Sequence, residues 1–290
     1  MINIEKILSA LRKIMDQIST IQDELKTNDL ANRDSELEYN VETGFVDSSS
    51  ASPVVHPILY NEEVVGGETT SEFADCCAVG NDENFYCSGT LIAPNMVVTA
   101  QHCYGITRVF IGGNDIFRTN EGEVIRVLES FESRDVDLRI LILERPSKII
   151  PRSIAIGNEI DNIRIGLVVG FGNVNPRGTI GYGIKRMAEV PIMSTDGSDN
   201  TDNRYGFLEG KEFVAGHLGL MRDSCKGDSG GPLYIQGANN QYYLLGATSR
   251  GTRSGNNPCG DGGIYVRIDV QIDWIERVTG IKPTTVEYIS

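Results

Sequence analysis

Residues 227–232, Gly227-Asp228-Ser229-Gly230-Gly231-Pro232, place a serine inside a glycine-rich turn. A turn of this kind folds tightly, leaves the hydroxyl reachable and aims backbone N–H groups at whatever the hydroxyl attacks. Serine is a weak nucleophile at its own pKa. The run therefore carries chemistry only if the rest of the chain supplies a base and a group that orients it. Without them it is an ordinary turn.

His102 is the candidate base. It stands in Thr99-Ala100-Gln101-His102-Cys103, directly after the apolar stretch of residues 90–98, and so just past the end of an expected buried strand. His56 lies in a proline-flanked segment and His217 in a glycine-rich one, neither a comparable setting. Asp137 opens the run Asp137-Leu138-Arg139-Ile140-Leu141-Ile142-Leu143, a carboxylate at the mouth of an apolar strand where it can accept from an imidazole N–H. Asp135 is the rival, and Asp137 is preferred because the apolar pattern begins immediately after it.

These segments occur in order with Val64-Val65-Gly66-Gly67, Gly170-Phe171-Gly172, Phe213-Val214-Ala215-Gly216, Ser249-Arg250-Gly251 and Gly263-Ile264-Tyr265. Over residues 64–290 the chain resembles the trypsin/chymotrypsin-like serine peptidases. The resemblance implies an all-β fold of two packed antiparallel six-stranded β-barrels, residues 64–157 and 158–290, with a C-terminal helix around Ile272-Asp273-Trp274-Ile275. It implies that His102 takes a proton from Ser229, that Asp137 orients His102, and that the N–H groups of Gly227 and Ser229 form an oxyanion hole. Asp223 matches the base of the primary pocket, with Ser249, Gly251 and Gly263 along its walls, which implies cleavage of a protein substrate after Arg or Lys. Disulfides Cys87–Cys103 and Cys225–Cys259 are implied in the same way. Arg250 replaces a residue that is commonly aromatic in the family. With Lys226 it is expected to draw acidic residues toward the scissile bond, two solvated side chains being the alternative.

Cys76 and Cys77 remain, and read as two separate buried thiols rather than a strained vicinal disulfide. No metal or other cofactor is expected: the chain has neither a CxxC pair nor a paired His/Cys set, and Gly113 stands where some relatives place an acidic calcium ligand. A net charge of −14 argues against nucleic acid and anionic membranes as partners, and half of that charge lies in residues 1–63.

Ile4, Ile7, Leu11, Ile14, Ile18, Ile21 and Leu25 alternate steps of three and four, which predicts an amphipathic heptad helix over residues 1–27. Its seam through residues 2–27 suits coiled-coil self-association or a partner protein. Residues 28–63 are acidic and serine-rich and read as a linker or propeptide. In relatives a cut before the Val64 position frees an α-amino group that pairs with the residue here numbered Asp228, a zymogen switch. Glu63 departs from that pattern, because an enzyme with Asp223 in its pocket would not cut its own chain after glutamate. The expectation is a peptidase held latent until processing or partner binding. The alternative is a latent, non-cleaving module that acts through its helix. The start of the chain has no uninterrupted apolar segment, so the sequence alone predicts a cytoplasmic location, whereas the implied disulfides point to secretion.

Overall fold

The computed structural model describes residues 67–194 and 205–289. The expected helix of residues 1–27, the linker 28–63 and Val64 lie outside the described residues.

Six strands close the first barrel: β2 (Cys76–Gly80), β3 (Phe85–Ala93), β4 (Met96–Thr99), β5 (Arg108–Ile111), β6 (Glu123–Glu132) and β7 (Arg139–Leu143), in the order β2-β3-β4-β7-β6-β5. The alternation of Met96-Val97-Val98-Thr99 against Leu141 and Ile140 sets the register beneath the histidine segment. A second closed barrel runs β12-β9-β10-β11-β14-β13 and back to β12, built from β9 (Ile165–Gly170), β10 (Arg186–Ser194), β11 (Glu212–Ala215), β12 (Pro232–Gln236), β13 (Tyr242–Gly251) and β14 (Gly263–Arg267). Closure leaves few free edges in either barrel. Three short strands decorate the second sheet: β1 (Glu68–Thr69) pairs with β10, while β8 (Ile154–Ile156) and β15 (Thr285–Glu287) add in parallel beside β13. The chain has therefore crossed to the second sheet by Ile154, because Leu244 and Thr285 both pair with Ile154.

One apolar cluster joins residues of both barrels, including Phe110 and Ile140 from the first and Phe171, Tyr234 and Val266 from the second. Arg152, on the crossover, locks them together. Its fork donates to both oxygens of the buried Asp75, at 3.0 and 2.5 Å, and to the Tyr242 carbonyl, while Tyr234 Oη donates to Asp75 Oδ2 at 2.6 Å. The helix α1 (Ile272–Thr279) buries Ile275 and ends at Gly280, whose left-handed backbone lets its N–H reach the Glu276 carbonyl.

Candidate active site

The serine turn precedes β12, in the second barrel, and the histidine follows β4, in the first. What brings them together is close backbone packing. Gly230 has φ of +76°, and a Cβ built on it would fall 2.7 Å from the Ser88 carbonyl and 2.4 Å or less from Thr99 and Ala100. Only a glycine lets the turn seat against the end of β4. Ser88 completes the junction: its N–H donates to the Ser229 carbonyl at 2.9 Å and its hydroxyl to the Gly227 carbonyl at 2.8 Å.

Asp137 sits on the histidine segment. Its Oδ2 accepts from His102 Nδ1 at 2.8 Å and from Ser249 Oγ at 2.7 Å, and its Oδ1 accepts from the His102 backbone N–H at 3.0 Å. Burial pushes its pKa up, but the His102 and Ser249 hydrogen bonds and the His102 charge outweigh it, so the carboxyl is held below its usual range. Asp135 instead points out, 75% exposed, toward Lys211. With Nδ1 committed to Asp137, the Nε2 edge of the half-exposed imidazole is left for a substrate-side proton. Among the described residues Ser229 Oγ makes no hydrogen bond to His102, a spacing common in free enzymes that tightens with substrate.

Asn173 N–H and Nδ2 both donate to the Lys226 carbonyl, at 2.9 and 3.1 Å, which fixes the peptide that leads into Gly227. The N–H groups of Gly227 and Ser229 have no protein acceptor among the described residues, and so remain available for an anion. The Asp228 carboxylate is buried under this loop, where Oδ1 accepts from Gly172 N–H at 2.7 Å and Oδ2 from Cys225 N–H at 2.8 Å. Burial dominates and raises its pKa to about 6, with the two backbone hydrogen bonds and the charge of Arg186 pulling the other way.

Asp223 lies 2% exposed, accepting from Ser224 N–H at 2.7 Å and from Tyr265 Oη at 3.1 Å. Burial raises its pKa to about 7. A Cβ on Gly263 would approach Asp223 Oδ1 to 3.1 Å and the Tyr265 ring just as closely, whereas one on Gly251 would meet nothing within 4 Å. Cys225–Cys259 and Cys87–Cys103 are both joined, bracing the pocket and the histidine segment, and Cys76 and Cys77 are free and buried.

Arg250 is 42% exposed, and its fork is clamped on buried Glu212 at 2.7 and 2.8 Å, a partner that neither reading of it foresaw. Lys226 remains exposed. Sequence reasoning missed Ser88, Asn173 and Glu212, whose roles depend on partners 38 to 139 positions away. The family model described as Trypsin matches residues 64–275.

Proposed function

The chain belongs to the trypsin family and is trypsin-like in its general peptidase class, and from that premise we propose that it is an endopeptidase that hydrolyses peptide bonds after Arg or Lys. His102 removes the Ser229 proton as Oγ adds to the carbonyl carbon, and the Gly227 and Ser229 N–H groups receive the oxyanion. The tetrahedral adduct collapses as His102 gives the proton to the leaving amine, and water then repeats the sequence on the acyl-enzyme. Each oxyanion donor in such a site is worth on the order of 3 kcal/mol of barrier.

The observation that carries this reading is the Asp137 carboxylate, which accepts three hydrogen bonds and holds the His102 ring with Nδ1 as donor. Preference for a cationic side chain rests on Asp223, a buried carboxylate whose hydrogen-bond partners among the described residues are Ser224 and Tyr265, neither of them basic. An uncharged guest would leave it desolvated and unpaired.

We further propose that residues before Val64 keep the enzyme latent, and that the amine freed by a cut there pairs with Asp228. The two disulfides support an oxidising compartment as the place where the folded enzyme works. A fluorophosphonate reagent, applied to the chain from Met1 and to the chain from Val64, tests both proposals. Labelling of Ser229 in the shorter chain and little in the longer is expected. No labelling in either would favour a non-cleaving module, and equal labelling would remove the latency.

A further inference from the structure

The guanidinium of Arg250 does more than neutralise Glu212. Its Nη1 also donates to Ser249 Oγ at 3.1 Å, and its Nη2 to the Gly206 carbonyl at 3.0 Å. Ser249 Oγ in turn donates to Asp137 Oδ2. A hydroxyl has one proton, and a guanidinium only donates, so the Ser249 proton has one direction open to it, toward Asp137. The result is a continuous chain from Glu212 through Arg250, Ser249 and Asp137 to His102. Glu212 is 1% exposed and is held from the other side by the Leu208 N–H at 2.8 Å, so the far end of the chain is anchored in the second barrel.

We propose that Arg250, clamped by Glu212, is a positioning residue that locks the Ser249 hydroxyl onto Asp137 and sets the basicity of His102. The pair is neutral as a whole but oriented, with its positive end toward the triad and its negative end buried behind. A cation beside Asp137 disfavours a proton on His102, and an uncompensated carboxylate favours one. The raised pKa of Arg250, due first to Glu212 and also in part to Asp137, fits this coupling. The other charged or titratable groups around this end of the cleft are already engaged or lie outside the relay. Arg139 donates to the Gln101 carbonyl and pairs with Glu132, Lys211 faces Asp135, Arg253 packs against Gly206, whose carbonyl Arg250 holds, and Tyr86 and Tyr104 line one pocket with His102. The sequence shows only that position 250 lacks an aromatic side chain. The carboxylate that makes an arginine tolerable there is 38 positions away.

This inference rests on the peptidase reading for its functional meaning, but its test does not require turnover. The pH midpoint of the His102 imidazole is followed by NMR in the folded chain, its signals being those lost in His102→Ala. Arg250→Met is expected to raise the midpoint by about half a pH unit or more, and Glu212→Gln, which leaves the guanidinium uncompensated, to lower it by a similar amount. Arg250→Lys, which keeps the charge, is expected to stay near the parent. The acid limb of kcat/KM should move in step in each variant. Unchanged midpoints, or shifts of the same sign in Arg250→Met and Glu212→Gln, overturn the proposal. If Arg250→Met does not fold, Glu212→Gln and Arg250→Lys decide it. A parent chain that shows these shifts but hydrolyses nothing would sink the peptidase reading and leave the relay standing.

Discussion

The Asp228 carboxylate occupies the place that a side chain on Gly172 would need: a Cβ there would fall 2.5 Å from Asp228 Cγ, while Gly172 N–H donates to Oδ1 at 2.7 Å. The loop that presents the Gly227 and Ser229 N–H groups is thus fixed from beneath by a residue of the 170–172 segment. Gly172→Ala forces Asp228 to move and breaks that bond. Expected losses are about 1–3 kcal/mol of stability together with a fall in kcat larger than the rise in KM. Thermal unfolding and steady-state kinetics check this, and an active variant with parental kcat would contradict it.

If Asp223 receives the cationic side chain as proposed, that binding should depend on pH. Its pKa is raised by burial to about 7, so below that pH the free pocket holds a neutral carboxyl. An amidinium ligand such as benzamidine needs the ionised form. Its affinity should therefore rise about tenfold per pH unit up to about pH 7 and then level off. Isothermal titration at several pH values measures this directly. In Asp223→Asn the pH dependence should vanish, and kcat/KM for an arginine substrate should fall by about 10²- to 10⁴-fold, the roughly 3–5 kcal/mol that an unpaired charge of this kind costs.

Stability should follow the same groups. Asp223 and Asp228 have folded pKa values of about 7 and about 6, against an unfolded value of 3.8. Between those limits the folded chain binds more protons than the unfolded one, so the uncut chain, with no freed amine to pair with Asp228, loses stability as pH rises from about 4 to about 7. Asp137 and Asp261 are shifted downward, so their stabilisation is present above the ordinary carboxylate range and is lost as pH falls through their lowered values. Their loss belongs to a more acidic window. Denaturant unfolding across pH 3–8 separates the two windows, and Asp223→Asn should flatten the upper one.

Cys225–Cys259 closes a loop of 34 positions across the pocket, a constraint worth about 4 kcal/mol in the chain-entropy account. Removing it by Cys225→Ala with Cys259→Ala should lower the unfolding midpoint. KM for arginine substrates should suffer more than it does on loss of Cys87–Cys103, which spans 16 positions beside the histidine.

The parts legible in the sequence were those written in short runs. The turn around Ser229, the apolar strand after Asp137 and the one before His102 each carry their own local pattern, and the two-barrel fold followed from the family resemblance that these segments carry. Asp137 could be separated from Asp135 because an apolar run begins beside one and not the other. The remainder consists of contacts between distant segments. Nothing local in Lys211-Glu212-Phe213 shows that its carboxylate is buried under Arg250. Nothing near Cys87 shows that Ser88 holds the carbonyls of Gly227 and Ser229. The strand β15 was missed for a similar reason: Thr285-Val286-Glu287 is too short to carry a pattern and exists only because β8 offers a free edge.

The most direct test of the whole account is product mapping by mass spectrometry after the chain beginning at Val64 is incubated with a diverse peptide library, alongside its Ser229→Ala variant. The expected result is cleavage with Arg or Lys on the N-terminal side of the broken bond, and none in Ser229→Ala. No cleavage by the parent, cleavage that survives Ser229→Ala, or cleavage after Phe or Glu would contradict it.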